Sequence, residues 1–291
     1  MDTAALLVVV LVAAVLLQPA LQRQVLAARR RRALARLARL RGATVITLIH
    51  RQESVSLLGL IHFREIDLED SESVLRAIRE TPPGRPIEIV LHTPGGLVVA
   101  SSQIATALAD HEGPVTAVVP HYAMSGGTLI ALAADRIVMD PHAALGAIDP
   151  QIDGYPASSI IAAVQAPGDH DDETLILADV ARKAIRETEH LAVLLLRPRL
   201  GDRRARDVAA VLTGGTLTHD HALTSRELQG LGLPVVLGVP EEERALMRLF
   251  PQPRGRRPSI EYAPGGPAPV RPPRPGAPPR ARGRRRPHRP S

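Results

Sequence analysis

The sequence predicts an α/β fold with a largely parallel sheet, and three observations carry that prediction. Short apolar runs alternate with helix-length segments between residues 43 and 240, as in chained β-α units. Two of those runs end in glycine pairs at strand-to-helix turns, at Gly95-Gly96 and Gly126-Gly127. Aromatic residues make up only 2% of the chain, so Val, Leu, Ile and Ala must build the core.

In chain order, Ala4 to Leu17 is an apolar run with no polar member, reaching Leu21 across Gln18 and Pro19. As a helix, 4–21 would span roughly 27 Å, near the hydrocarbon thickness of a bilayer. A cleaved signal peptide is the alternative, but its positive charge precedes the apolar run. Here the arginines follow, at Arg23 and Arg29 to Arg32. The expectation is an uncleaved transmembrane anchor at 4–21, N-terminus outside and the rest in the cytoplasm. A basic juxtamembrane helix is expected over 22–42. Its Leu34, Leu37 and Leu40 suit an anionic membrane surface or a solvated spacer.

The body, 43–250, opens with expected strands at Ala43 to Leu48 and Ser56 to Ile61. A helix with acids in its first turn runs from Leu68 to Glu80 and is broken by Thr81-Pro-Pro-Gly84. A strand then ends in His92-Thr93-Pro94, followed by a helix from Leu97 to Ala109. Val115 to Val119 is the next strand, Gly126 to Ala134 the next helix, and Arg136 to Met139 a further strand running into Ala144 to Ile148. Asp149 to Asp172 is irregular and reads as a lid or binding loop. A helix from Glu173 to Leu196 follows, then Thr213-Gly-Gly-Thr-Leu-Thr-His219 with Ala222 to Leu231, and Leu231 to Val236, which ends the domain. From Pro251 onward the chain holds 13 prolines and 11 arginines and reads as a disordered tail, 251–291.

Charge divides along the chain: +7 over 1–41, +10 over 251–291 and −11 between them. The basic balance belongs to the flanks, which argues against a nucleic-acid-binding core. The tail's charge suits anionic lipid, nucleic acid or an acidic partner. Absence of cysteine excludes disulfides and thiolate metal sites. No phosphate-binding Gly-Lys-Ser/Thr and no His-Glu-x-x-His is present, so neither cofactor nor metal is expected.

Ser125 stands at a strand-to-helix turn, where a hydroxyl is exposed and the next N–H groups are free. That placement suits a nucleophile beside an oxyanion site; an ordinary Ser N-cap is the competing reading. The glycines at 95 and 96 let the backbone approach a ligand and offer a second N–H. Of the 36 basic residues only Lys183 is a lysine. Unlike arginine, a lysine can act as a neutral base when buried; a surface pair with Glu187 is the competing reading.

Taken together, His92-Thr-Pro-Gly-Gly96, Ala123-Met-Ser-Gly-Gly-Thr128 and Leu145-Gly-Ala-Ile-Asp-Pro-Gln151 resemble serine proteases of the Clp-protease/crotonase superfold. The likeness covers roughly 43–240 and points to the membrane-anchored branch that includes signal peptide peptidase A and the serine dehydrogenase proteinase family. It implies repeated β-β-α units and an ATP-independent serine endopeptidase acting on peptides or membrane-protein segments as a homo-oligomer at the bilayer. By the same resemblance, Ser125 is the nucleophile, Lys183 the base, and Gly96 and Gly126 the oxyanion hole. Soluble Clp proteases use Ser-His-Asp, with a histidine near position 150, where this chain has Asp149-Pro150. A triad here would draw on His142, His170 or His190 with Asp149 or Asp179. A crotonase-like acyl-transfer enzyme and an inactive membrane scaffold are the other classes.

Overall fold

The computed structural model describes residues 3–50 and 65–250, apart from the side chains at 3–10, 12–16 and 19. The expected strand at Ser56 to Ile61 and the tail at 251–291 lie outside the described residues. A single helix, α1 (Thr3–Arg41), contains both the apolar run and the basic segment and leads into β1 (Thr44–Ile49). Next come α2 (Leu68–Glu80), β2 (Ile87–His92), α3 (Val98–Ala109), β3 (Val115–Val119), β4 (Tyr122–Ala123) and α4 (Gly126–Leu132). They are followed by β5 (Arg136–Met139), β6 (Ala144–Leu145), β7 (Gln151–Ile152), β8 (Tyr155–Pro156), α5 (Ala157–Gln165) and α6 (Asp172–Thr213). The last elements are β9 (Leu223–Thr224), α7 (Ser225–Gly230), β10 (Val235–Leu237) and α8 (Glu241–Met247).

Strands β1-β2-β3-β5-β10 form one sheet in that order, with every pair parallel. All six residues of β2 are buried, as expected of a central parallel strand covered on both faces. Ile87, Ile89 and Leu91 join the main core with Ile104, Leu108, Ile130 and Leu196, beneath α2, α3, α4 and α6. Val90, Val118 and Val138 point the other way and pack on Leu37, Leu246 and Met247 of α1 and α8. Two smaller sheets, β4-β6-β9 and β7-β8, make up the rest of the strands among the described residues.

Local chemistry explains the boundaries. A reciprocal capping box opens α2, with Asp67 and Asp70 each accepting the other's backbone N–H. Helix α6 is kinked at Gly201, three residues after Pro198, which splits it into two helices. The first ends near the expected Leu196. The second carries Val208 and Leu212 into the core and delivers the loop that follows.

Two expectations change. The 149–172 stretch is not irregular throughout: β7 and β8 form a hairpin and α5 packs on α6 through Ala157, Ile160, Ala178 and Ala181. Small residues at that contact let the two helices approach closely. Leu34 and Leu37, expected to face a membrane or solvent, pack against the sheet, leaving Leu40 exposed. Among the described residues no helix is long and apolar enough to cross a membrane.

Candidate active site

The chain leaves β4 and turns at Ser125 into α4 with φ 50° and ψ −120°, a backbone conformation rare for a residue with a Cβ. Such strain costs roughly 1–3 kcal/mol and persists where the surrounding structure imposes it, often at functional sites. Ser125 is not a capping serine: its side chain makes no cap hydrogen bond. The glycines around it are required by contact. A Cβ at Gly126 would lie 2.1 Å from Ser101 Oγ, and one at Gly95 would lie 2.7 Å from Ser125 Cβ. Helix α4 is buried along its whole length, so the turn is anchored from behind.

The Gly95-Gly96 turn comes from the end of β2. Both glycines have positive φ, 116° and 151°, and Ile66 is laid alongside by Ile66 N–H to Gly95 O and Leu97 N–H to Ile66 O. As the first helical residue, Gly126 has an N–H with no intrahelical acceptor. The Gly96 N–H donates to no acceptor among the described residues.

Both turns line a cavity of about 260 Å³, together with Asp149, Pro150, Gln151, Thr188 and His219. Asp149 is 3% exposed. It accepts from His219 Nδ1 at 2.8 Å and from Gln151 Nε2 at 2.7 Å. The hydrogen bond to Asp149 raises the His219 pKa above the ordinary 6.5, against a smaller opposing effect of burial. With Nδ1 held by a carboxylate, Nε2 is the nitrogen left to accept a proton.

The structure brings Ser125, Gly96, Gly126 and Asp149 together and leaves the other expected residues outside the cavity. Lys183, expected as a base in an apolar setting, is an exposed residue of α6 whose ammonium donates to exposed Asp179 one turn earlier. Asp179 is thereby engaged away from the site. His142 and His190 are exposed, and His170 approaches the Ala166 carbonyl at 3.2 Å. None of these lines the cavity. His219 was not among the residues expected from the sequence. Its signal was a polar Thr218-His219-Asp220 tip after the Gly214-Gly215 turn. Among the described residues no group of three or more His, Asp or Glu converges to hold a metal.

A family model for ClpP-like SDH-type serine proteinases matches residues 1–274. Two uncharacterized proteins of Methanocaldococcus jannaschii are similar over most of their length. MJ1495 is 49% identical over 237 residues, 81% of each chain. MJ0137 is 48% identical over 248 residues, 84% of this chain and 87% of its own. A shorter match, 39% over 74 residues, is to the membrane protein NfeD1b of Bacillus subtilis, covering 25% of this chain and 17% of that one.

Proposed function

Because this chain belongs to the ClpP-like SDH-type serine proteinase family, we propose that its peptidase chemistry runs on Ser125, His219 and Asp149. The Gly96 and Gly126 N–H groups form the oxyanion hole. The observation that carries this reading is that His219 and Asp149, bonded to each other, line the same cavity as Ser125. Asp149 holds the imidazole by Nδ1–H, so Nε2 takes the Ser125 proton as Oγ attacks the peptide carbonyl. The two N–H groups stabilise the charge that develops on the carbonyl oxygen. His219 then returns the proton to the leaving amine, the C–N bond breaks, and water activated by the same nitrogen hydrolyses the acyl-serine. None of these steps draws on a nucleotide, in keeping with an ATP-independent endopeptidase.

A Ser125–Lys183 dyad is the second reading. It is favoured by the single lysine among 36 basic residues, which sits less than two turns before Thr188, a cavity residue of the same helix. Hydrolysis of fluorescein-labelled casein by the full chain separates the two. His219→Gln should lower turnover by at least about 10²-fold, the low end for a positioned base. Lys183→Arg should stay within a few-fold of the parent. The reverse pair of results assigns the base to Lys183.

The apolar run at 4–21 and the partial likeness to a membrane protein support an anchored peptidase with its body in the cytoplasm. A reporter active only outside the cytoplasm, fused after residue 250, should be silent; activity there overturns this topology. ClpP-like proteases typically act as oligomers, and we extend that expectation to this chain.

A further inference from the structure

A chain of hydrogen bonds runs from α2 to the Gly95-Gly96 turn, and of its members only Gly95 lines the cavity. Asp70, fixed at the start of α2 by the capping box, lies 3.1 Å from His50 Nε2 through Oδ2. His50 Nδ1 lies 2.9 Å from Thr93 Oγ1. Thr93 Oγ1 accepts the Gly95 N–H at 3.2 Å. His50 and Thr93 stand at the ends of adjacent strands and are 5% and 0% exposed.

Chemistry fixes the direction of the bond to Asp70. An ionised carboxylate only accepts, so His50 Nε2 carries the hydrogen it gives to Asp70. Its Nδ1 meets the Thr93 hydroxyl, whose oxygen also lies 3.3 Å from the Gly95 carbonyl. The hydroxyl oxygen keeps a lone pair for the Gly95 N–H. Every polar group in the chain is satisfied, although three of them are taken out of water where apolar residues would have packed without that requirement.

Thr93 also touches the other turn. Its methyl would lie 2.5 Å from a Cβ at Gly127, and its backbone bonds to Tyr122 O and Met124 N–H on either side of Ala123 in β4. One side chain thus lies between the turn that carries Gly96 and the turn that carries Ser125 and Gly126.

We propose that Thr93, oriented by the His50–Asp70 pair, is a positioning residue that sets the two oxyanion N–H groups relative to each other. The proposal rests on the reading of Ser125 as nucleophile and of Gly96 and Gly126 as oxyanion donors. Oxyanion contacts form as charge develops, so loosening them lowers the chemical rate and spares binding.

The test measures phosphonylation of the full chain by an alkyl fluorophosphonate, separating the maximal rate from the half-saturating concentration. Thr93→Val keeps the shape and removes the hydroxyl. Its maximal rate should fall by about 10- to 10²-fold, less than the 10²–10³ for removing an oxyanion donor outright. Its half-saturating concentration should stay within about twofold. Thr93→Ser should restore most of the rate. His50→Leu should act in the same direction, and the Thr93→Val/His50→Leu double variant should be no slower than Thr93→Val, because His50 acts through Thr93.

Parental rates in a folded Thr93→Val overturn the proposal, as do additive losses in the double variant or a Thr93→Ser that fails to recover. If Thr93→Val does not fold, Thr93→Ser and His50→Leu decide: parental rates in His50→Leu overturn it. Ser125→Ala is the separate control. Labelling that survives Ser125→Ala refutes the nucleophile, whereas labelling lost there but unaffected by Thr93 or His50 refutes only the positioning role.

Discussion

The turn at Ser125 was legible from its neighbours because a strand, a turn and a helix are local events, each marked within a few residues of Pro120 and Gly126. The same holds for the Gly95-Gly96 turn at the end of β2. The pairing of His219 with Asp149 was not legible, because the two lie 70 residues apart and no local pattern records their contact. Lys183 was singled out by composition, and rarity carries no geometry. Two predictions belong at this scale. Gly126→Ala should abolish fluorophosphonate labelling and lower the melting temperature, because the new methyl meets Ser101 Oγ at 2.1 Å; normal labelling of a folded variant would show that α4 can shift to make room. The pH profile follows from the raised His219 pKa. Activity needs the neutral imidazole, so kcat/KM should fall as pH drops through a midpoint above 6.5. Asp149→Asn should move that midpoint down and lower the plateau. A midpoint indifferent to Asp149→Asn would separate the pair from the chemistry.

The element least predictable in function is β2, where Glu88 sits 6% exposed in an otherwise apolar and histidine-ended strand. Across from it Glu243 of α8 is fully buried and accepts from Arg41 of α1 at 2.6 and 3.0 Å. Arg41 also approaches Glu88 at 3.6 Å and Glu242 at 3.6 Å, and Arg136 of β5 adds its charge. One guanidinium serves two buried carboxylates. Burial, and then the Glu243 charge, push Glu88 from 4.5 up to about 7, with Arg41 opposing. A carboxylate whose folded pKa is raised contributes stability present below its unfolded value and lost as pH rises through the folded one. The melting temperature should therefore decline from about pH 5 to above pH 7, and Glu88→Gln should flatten that decline. An unchanged slope in Glu88→Gln would remove Glu88 from the account. The sequence identified most of the strands and helices near this site, since their apolar runs are periodic. It missed α5, whose nine residues lie between Gly154, Pro156 and Gly168 and are held by tertiary contact with α6. It also missed the docking of Leu34 and Leu37, since an amphipathic face does not say what will cover it.

On the scale of the whole molecule, α1 is continuous from the apolar run into a segment that packs beneath the sheet, so the anchor proposed at 4–21 is joined to the body by helix. The arginine-rich end stands apart in charge, +10 against −11 for the body. Removing 252–291 should leave casein hydrolysis intact and weaken binding to vesicles containing phosphatidylserine, most at low salt, where charge is least screened. A large fall in melting temperature on truncation would instead mean that the tail packs on the body. The account as a whole depends on one serine made reactive by one histidine. Its most direct test is intact-mass and peptide mapping of the full chain after fluorophosphonate treatment near pH 8. The account predicts a single adduct on Ser125 in the parent and in Lys183→Arg, and its loss in His219→Gln. An adduct that survives His219→Gln and disappears in Lys183→Arg, or one on a residue other than Ser125, would contradict it.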